Sequence, residues 1–346
     1  MNGERMNESA EVKKSPVDRV PMVSVSCITY NHGRYLRKAL DSFLSQKTSI
    51  FFEILIHDDA STDDTVSIIK EYAESYPEII VPMFEEENQY SRGISNISGV
   101  FNFPRARGRY IAMCEGDDFW TDEEKLQKQV DFMEANPEYS MCCHGASVVS
   151  EDGAFRTENE IRPFEADREL TPAMLISKKT NLPTASLFFR TEYALSLPEW
   201  YFSCPVGDIP LQLYMLTRGR VFYFDRKMSA YRMGAEGSWG SSMDGNSAEK
   251  REKWEKHYTA MKSLYSAFDK DTDGKYAGFT AEALGRIRFL VDLKEDKAEA
   301  VLKPENALFV SELPETERRL QELKARHRWL YDLIRSLYLV LRKRGF

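Results

Sequence analysis

The feature that most limits the fold is an alternation. Between Met22 and Met133, short apolar runs are followed four times by stretches with helical spacing. Met22–Ile28 has the β-branched, apolar character of a buried strand, and Tyr35, Leu36, Ala39, Leu40, Phe43 and Leu44 then recur at helical intervals. Phe51–Ile56 is the second such strand, followed by Val66, Ile68, Ile69, Tyr72 and Ala73 in helical register, with Pro77 closing the helix. Ile79–Phe84 precedes an expected helix carrying Ile94, Ile97 and Phe101, and Tyr110–Cys114 precedes one carrying Leu126, Val130 and Met133. Ser61 with Asp64, and Thr121 with Glu124, have the spacing of capping boxes at two of the helix starts. This pattern predicts an α/β chain built as a three-layer α/β/α sandwich on a mostly parallel sheet. In such sheets ligands bind beyond the C-terminal ends of the strands.

After Pro137 the texture changes. Tyr139–Val149 is expected as a long strand, with a turn at Asp152–Gly153 and a short helix opened by Thr171–Pro172. Ala185–Phe189 and Val221–Phe224 are expected strands, and Leu211–Leu216 an expected helix. Residues 235–250 are rich in Gly and Ser and are expected to be mobile. From about 249 the chain is expected to be helical, and Leu320, Leu323, Leu330, Ile334, Leu337 and Leu341 form a heptad-like seam if His327 fills the missing step.

Composition removes several function classes. The 346 residues carry 47 Lys and Arg against 55 Asp and Glu, a net charge of −8, which argues against a general nucleic-acid binder. The five cysteines, Cys27, Cys114, Cys142, Cys143 and Cys204, are odd in number and include no C-x-x-C pair, so neither a disulfide framework nor a structural zinc site is expected. The first 20 residues are polar, with no apolar segment of a signal peptide. Cytoplasmic residence is the expectation, with the inner face of the membrane as a second surface to consider.

The residues that could carry chemistry stand at strand ends. Glu115-Gly116-Asp117-Asp118 follows the fourth strand directly, and Asp58-Asp59 ends the second. Carboxylates presented this way suit Mg2+ or Mn2+, which take hard oxygen ligands and are commonly shared with substrate phosphates. Asp122, Glu123 and Glu124 are accounted for by the helix dipole, and Asp63 and Asp64 by turn and cap chemistry. Glu115, Asp117 and Asp59 are not.

Three segments together bring in a family. Val23–Asn31 (VSVSCITYN), Glu53–Thr65 (EILIHDDASTDDT) and Gly108–Trp120 (GRYIAMCEGDDFW) resemble, in order and spacing, the leading motifs of family 2 glycosyltransferases. The resemblance covers about residues 21–240 and implies the GT-A fold, a nucleotide-diphosphate sugar donor and inversion at the anomeric carbon. It implies that Thr29, Tyr30 and Asn31 line the nucleobase and ribose pocket and that Asp59 accepts a hydrogen bond from the base, typically uracil. Glu115 and Asp117 stand for the D-x-D motif, here E-x-D, with Asp117 as the direct metal ligand and Glu115 on ribose or metal-bound water. Asp118 faces the sugar or acceptor. Asp208, the acid before the Leu211 helix, takes the place of the catalytic base. Arg92 is a candidate phosphate contact and Trp239 a candidate lid. Many relatives carry Tyr-Arg and then a His near the metal; here Tyr231-Arg232-Met233-Gly234 puts a glycine in that place. His144 reads as structural.

The organisation expected is a tail over residues 1–20, a catalytic domain over 21–245 and a helical region over 246–346. That last region serves assembly, packing or membrane-surface contact, since Trp329–Leu341 is apolar and Arg342-Lys343-Arg344 follows it. The function expected is transfer of a sugar, from a UDP-sugar in the first instance, to a hydroxyl of a glycan or lipid-linked acceptor in cell-surface polysaccharide synthesis. The alternatives are a sugar-nucleotide pyrophosphorylase-like enzyme and a non-catalytic nucleotide-sugar-binding module.

Overall fold

The computed structural model describes residues 19–177, 182–235, 243, 245 and 247–333. The expectations for residues 1–18, for Trp239 with most of the Gly/Ser-rich stretch, and for the seam beyond Leu333 lie outside them.

The alternation folds as a wound sheet. Strands β1 (Val23–Thr29), β2 (Phe52–Asp58), β3 (Ile80–Phe84) and β4 (Tyr110–Met113) stand in the order β3-β2-β1-β4, all parallel. β1, β2 and β4 are buried along almost their whole length, which is why they read as continuous apolar runs rather than alternating ones. The sheet continues through β9 (Phe188–Arg190), β6 (Tyr139–Val149), β10 (Arg220–Arg232) and β5 (Phe119–Trp120). β9 and β5 run against their neighbours, so β6 and β10 point the same way as β4 and the sheet is mixed but mostly parallel in direction. β7 (Phe155–Ile161) and β8 (Arg168–Leu170) add to it off that path.

Helices α1 (Gly33–Leu44), α2 (Thr65–Ser75) and α3 (Lys125–Ala135) follow β1, β2 and β5. α1 buries Tyr35, Leu36, Ala39, Leu40 and Phe43 along one stripe, as its spacing requires. The helix expected around Ile94–Phe101 is only a short turn of π-helix over Ser98–Asn102 and a 3-10 turn over Phe103–Arg105.

Neither capping box forms. Ser61 Oγ donates to Asp58 Oδ1 and accepts from Asn31 N, so it joins two loops, while Asp63 Oδ1 receives the Thr65 amide. Thr121 Oγ1 donates to the Lys227 carbonyl, and Asp122 Oδ1 receives the Glu124 amide instead.

Helix α4 (Asp208–Arg218) packs in one core with α5 (Ala248–Asp271) and α6 (Ala277–Lys294). Leu211, Leu213, Tyr214 and Met215 share that core with Met261, Leu264, Tyr265, Phe268, Ala283 and Ile287. The heptad seam is interrupted: α7 (Glu315–Arg326) ends at His327, which leaves helical geometry, and a further helical turn begins at Arg328. Among the described residues no helix is long and apolar enough to cross a membrane. All five cysteines are buried and unbridged.

One core residue is costly. Lys125 is fully buried at the start of α3, its Nζ donating to Gln129 Oε1 at 2.7 Å and standing 4.2 Å from the centre of the Trp120 ring. Burial pushes its ammonium down from 10.5 to about 7. Folding therefore expels a proton between those two values; the cost is full below the lower one, shrinks steadily as pH rises between them and is gone above the upper. Lys125→Met should melt higher than wild type at pH 6.5, by roughly 1–3 kcal/mol after the lost hydrogen bond is counted. The gap should narrow by pH 9.5 in thermal melts; a gap independent of pH would contradict this account.

Candidate active site

Three loops leave the C-terminal ends of β2, β1 and β4. They meet where the strand order reverses, because the chain winds from β1 outward to β2 and β3 on one side and returns to β4 on the other. That reversal opens a crevice in sheets of this kind.

The middle loop begins at Thr29, whose carbonyl accepts from the Asp59 amide. Asn31 holds φ 55°, a left-handed conformation that asparagine tolerates, and its Oδ1 receives the Thr62 amide at 2.8 Å. Asn31 thus ties the first loop to the second, and Asp63 Oδ2 repeats the tie on the Gly33 amide. Tyr30 stands exposed beside them.

Asp59 is buried and does local work. Its Oδ1 accepts from Gln89 N at 2.6 Å and its Oδ2 from Tyr90 N at 3.1 Å, while Asn88 Nδ2 donates to its carbonyl. The carboxylate braces the 88–90 loop over the end of β2; each of its oxygens keeps a second lone pair. Arg92, on the same loop, pairs with Glu87 on the surface.

The acidic loop is an extension of β4. Cys114 N and Gly116 N still donate to the β1 carbonyls of Ser26 and Ile28, and Asp118 N closes a turn onto Glu115 O. A methyl group at Gly116 would lie 3.0 Å from both Thr29 Oγ1 and His32 Nδ1, so glycine lets the two loops close together. Those two polar atoms are buried with no hydrogen-bond partner among the described residues. Asp118 is 2% exposed; its Oδ1 accepts from Arg232 N at 2.8 Å, and its Oδ2 has no such partner.

Asp208 is the first residue of α4, whose N-cap is Gly207. It does not occupy the cap position. Its negative charge reaches the acidic loop: burial first, then Asp117 and Asp208, push the Glu115 carboxyl up to about 8. Burial, Asp117 and Glu115 likewise raise Asp118, against the pull of Arg232. The phenol of Tyr231 is pushed up to about 12 by burial and by Asp118, Glu115, Asp117 and Asp208 together. Carboxylates from two distant parts of the chain therefore act electrostatically on one another at the end of β4.

A divalent cation fits this donor set. The oxygens are hard, they repel one another, and one of them is buried without a partner. Among the described residues no group of three or more His, Cys, Asp or Glu is arranged to enclose an ion. The arrangement suits Mg2+ or Mn2+ held by one or two carboxylates, with Asp117 and Glu115 the candidate holders and other ligands supplied by water or a phosphate.

The structure also brings in His32, which the motifs did not mark, and sets Tyr231 and Arg232 beside the acidic loop. The Tyr-Arg pair was visible in the sequence, but only the position after it drew attention. Gly234, in that position, has φ +85°, and among the described residues nothing lies where a side chain there would reach. His144 is buried, its Nδ1 on the Gly145 carbonyl, as a structural histidine would be.

Comparison with known proteins agrees with the geometry. Residues 24–193 match the family described as Glycosyl transferase family 2. The chain is 34% identical over 250 residues to the uncharacterized protein Rv1520 of Mycobacterium tuberculosis, covering 71% of this chain and 67% of that one. It is 36% identical over 134 residues to the putative teichuronic acid biosynthesis glycosyltransferase TuaG of Bacillus subtilis, covering 38% and 50%. Its fold is similar to that of the mannosyltransferase PcManGT from Pyrobaculum calidifontis, solved with GDP-Man and Mn2+, at a TM-score of 0.54 and 15% identity over 93% of this chain and 88% of that one.

The raised Glu115 carboxyl has a measurable consequence. The folded protein holds this proton between the ordinary glutamate value of 4.5 and about 8, so ionising it costs stability as pH rises through that window. In EDTA, Glu115→Gln should raise the melting temperature at pH 8, and the gain should disappear toward pH 5. An equal gain at both pH values would remove Glu115 from the repelling cluster.

Proposed function

This chain belongs to glycosyltransferase family 2, and on that premise we propose that it moves a sugar from a nucleotide diphosphate, a UDP-sugar in our reading, to an acceptor hydroxyl with inversion. The observation that supports this most is the placement of Glu115, Asp117 and Asp118 at the switch point of the sheet, with the charge of Asp208 reaching Glu115. Thr29, Tyr30 and Asn31 would line the nucleobase and ribose pocket, with Asp59 accepting from the base. Glu115 and Asp117 would hold Mg2+ or Mn2+, which when bound neutralises charge on the departing diphosphate. Asp118 would face the sugar.

Asp208 would accept the proton of the acceptor hydroxyl as its oxygen attacks the anomeric carbon and the bond to the diphosphate breaks. Its place at the first turn of α4, rather than at the cap, leaves its carboxylate a role other than capping. A place in polysaccharide synthesis is supported by the likeness to TuaG, a putative teichuronic acid biosynthesis glycosyltransferase, and the acceptor in our reading is a glycan or a lipid-linked glycan. The side chains of Trp329 and Leu333, exposed on the turn after His327, are the described part of the surface through which the C-terminal region would meet a membrane or a second copy.

A screen of UDP- and GDP-sugars by thermal shift, with and without Mn2+, tests the donor, since a ligand of the folded state raises its apparent stability. Asp208→Asn should lower transfer at least ~100-fold while keeping donor binding. Asp117→Ala should lose the Mn2+-dependent part of that binding. Wild-type transfer by the Asp208→Asn protein would exclude that residue as the base. For the C-terminal surface, the doubly substituted Trp329→Glu, Leu333→Glu protein should sediment less with anionic liposomes than wild type; equal recovery would dispose of a membrane contact there.

A further inference from the structure

Arg232 has no part in the proton transfer or the donor contacts assigned above. We propose that it is a positioning residue, whose guanidinium clamps the acidic loop to the turn between β6 and β7 and so fixes the direction in which Asp117 faces the crevice. The inference rests on Asp117 being a donor-binding group.

Arg232 is 3% exposed at the end of β10. Its Nε donates to the Asp117 carbonyl at 2.8 Å, and its Nη1 donates to the carbonyls of Ser150 at 3.2 Å and Glu151 at 2.8 Å. The guanidinium carbon stands 4.5 Å from the centre of the Tyr35 ring. A buried cation beside several carboxylates therefore directs these hydrogen bonds to backbone carbonyls. The main chain of the same residue holds Asp118 Oδ1, so side chain and backbone grip successive residues of one loop.

The turn that the clamp uses is itself anchored. Glu151 Oε1 accepts from Arg34 Nη1 at 2.6 Å, at the start of α1. Arg232 thus links the acidic loop, the β6–β7 turn and, through Tyr35 and Glu151, helix α1. A planar fork with donors at fixed separation can meet Asp117 and the turn at once. An ammonium group supplies the same charge from a single point and cannot occupy both places. Charge alone and geometry therefore make different predictions for lysine.

The test uses the full chain with Arg232→Lys and Arg232→Gln. Without ligand, amide hydrogen exchange over residues 115–118 should quicken at least ~10-fold in both variants, while the segment around Asp59 keeps its wild-type rate. With Mn2+ present, UDP affinity measured by calorimetry, with GDP in parallel, should fall at least ~10-fold in both. Wild-type affinity in Arg232→Lys would show that charge suffices and overturn the proposal. Unchanged exchange over 115–118, or a uniform rise across the whole sheet, would overturn it as well. If wild-type protein binds neither nucleotide, the donor reading falls, and the exchange comparison still decides whether the clamp exists.

Discussion

The parallel pairing of β1 with β4 does not stop where the strands end. The amides of Cys114 and Gly116 go on bonding to β1 carbonyls, and the acidic loop leaves the sheet only after that. This backbone ladder presses Glu115–Asp118 against Thr29 and His32, with only a glycine between them. The arrangement of the crevice follows from it. The second loop is tied to the first by Asn31, Ser61 and Asp63, and the 88–90 loop is tied to the second by Asp59. The crevice is thus built in sequence, each loop referenced to its neighbour and all of them to β1.

The ladder sets up an electrostatic problem. Carboxylates brought together at low dielectric either hold protons or need a cation, and burial with mutual repulsion raises the Glu115 and Asp118 carboxyls above their ordinary range. A soluble surface cluster would relax by moving apart. Here the loop is held at one end by β1 and at the other by β5 pairing with β10, so the repulsion is retained. Under the function proposed above, a divalent ion with its diphosphate would relieve that repulsion.

Much of this was legible in the sequence, because its signals are local. Buried parallel strands read as apolar runs, helices as a 3.6-residue period, and strand-end acids as exceptions to turn chemistry. The capping boxes misled because Ser61 and Thr121 have partners 30 and about 100 residues away, which spacing cannot reveal. The break at His327 was hidden because a leucine repeat can continue across a helix end. Tyr231, Arg232 and His32 were missed for the same reason as the caps. Their significance lies in what the fold sets beside them, which spacing cannot reveal.

The helix that opens with Asp208 has its apolar side seated on Met261, Leu264, Tyr265 and Phe268 of a segment some fifty residues downstream. During synthesis the ribosome releases the strands and the acidic loop first, and the seat of that helix only later. The acidic loop can therefore be in place while the nascent chain still lacks the support for the helix that carries Asp208. A chain halted at the Gly/Ser-rich stretch would leave that apolar side facing water, a hazard for premature termination.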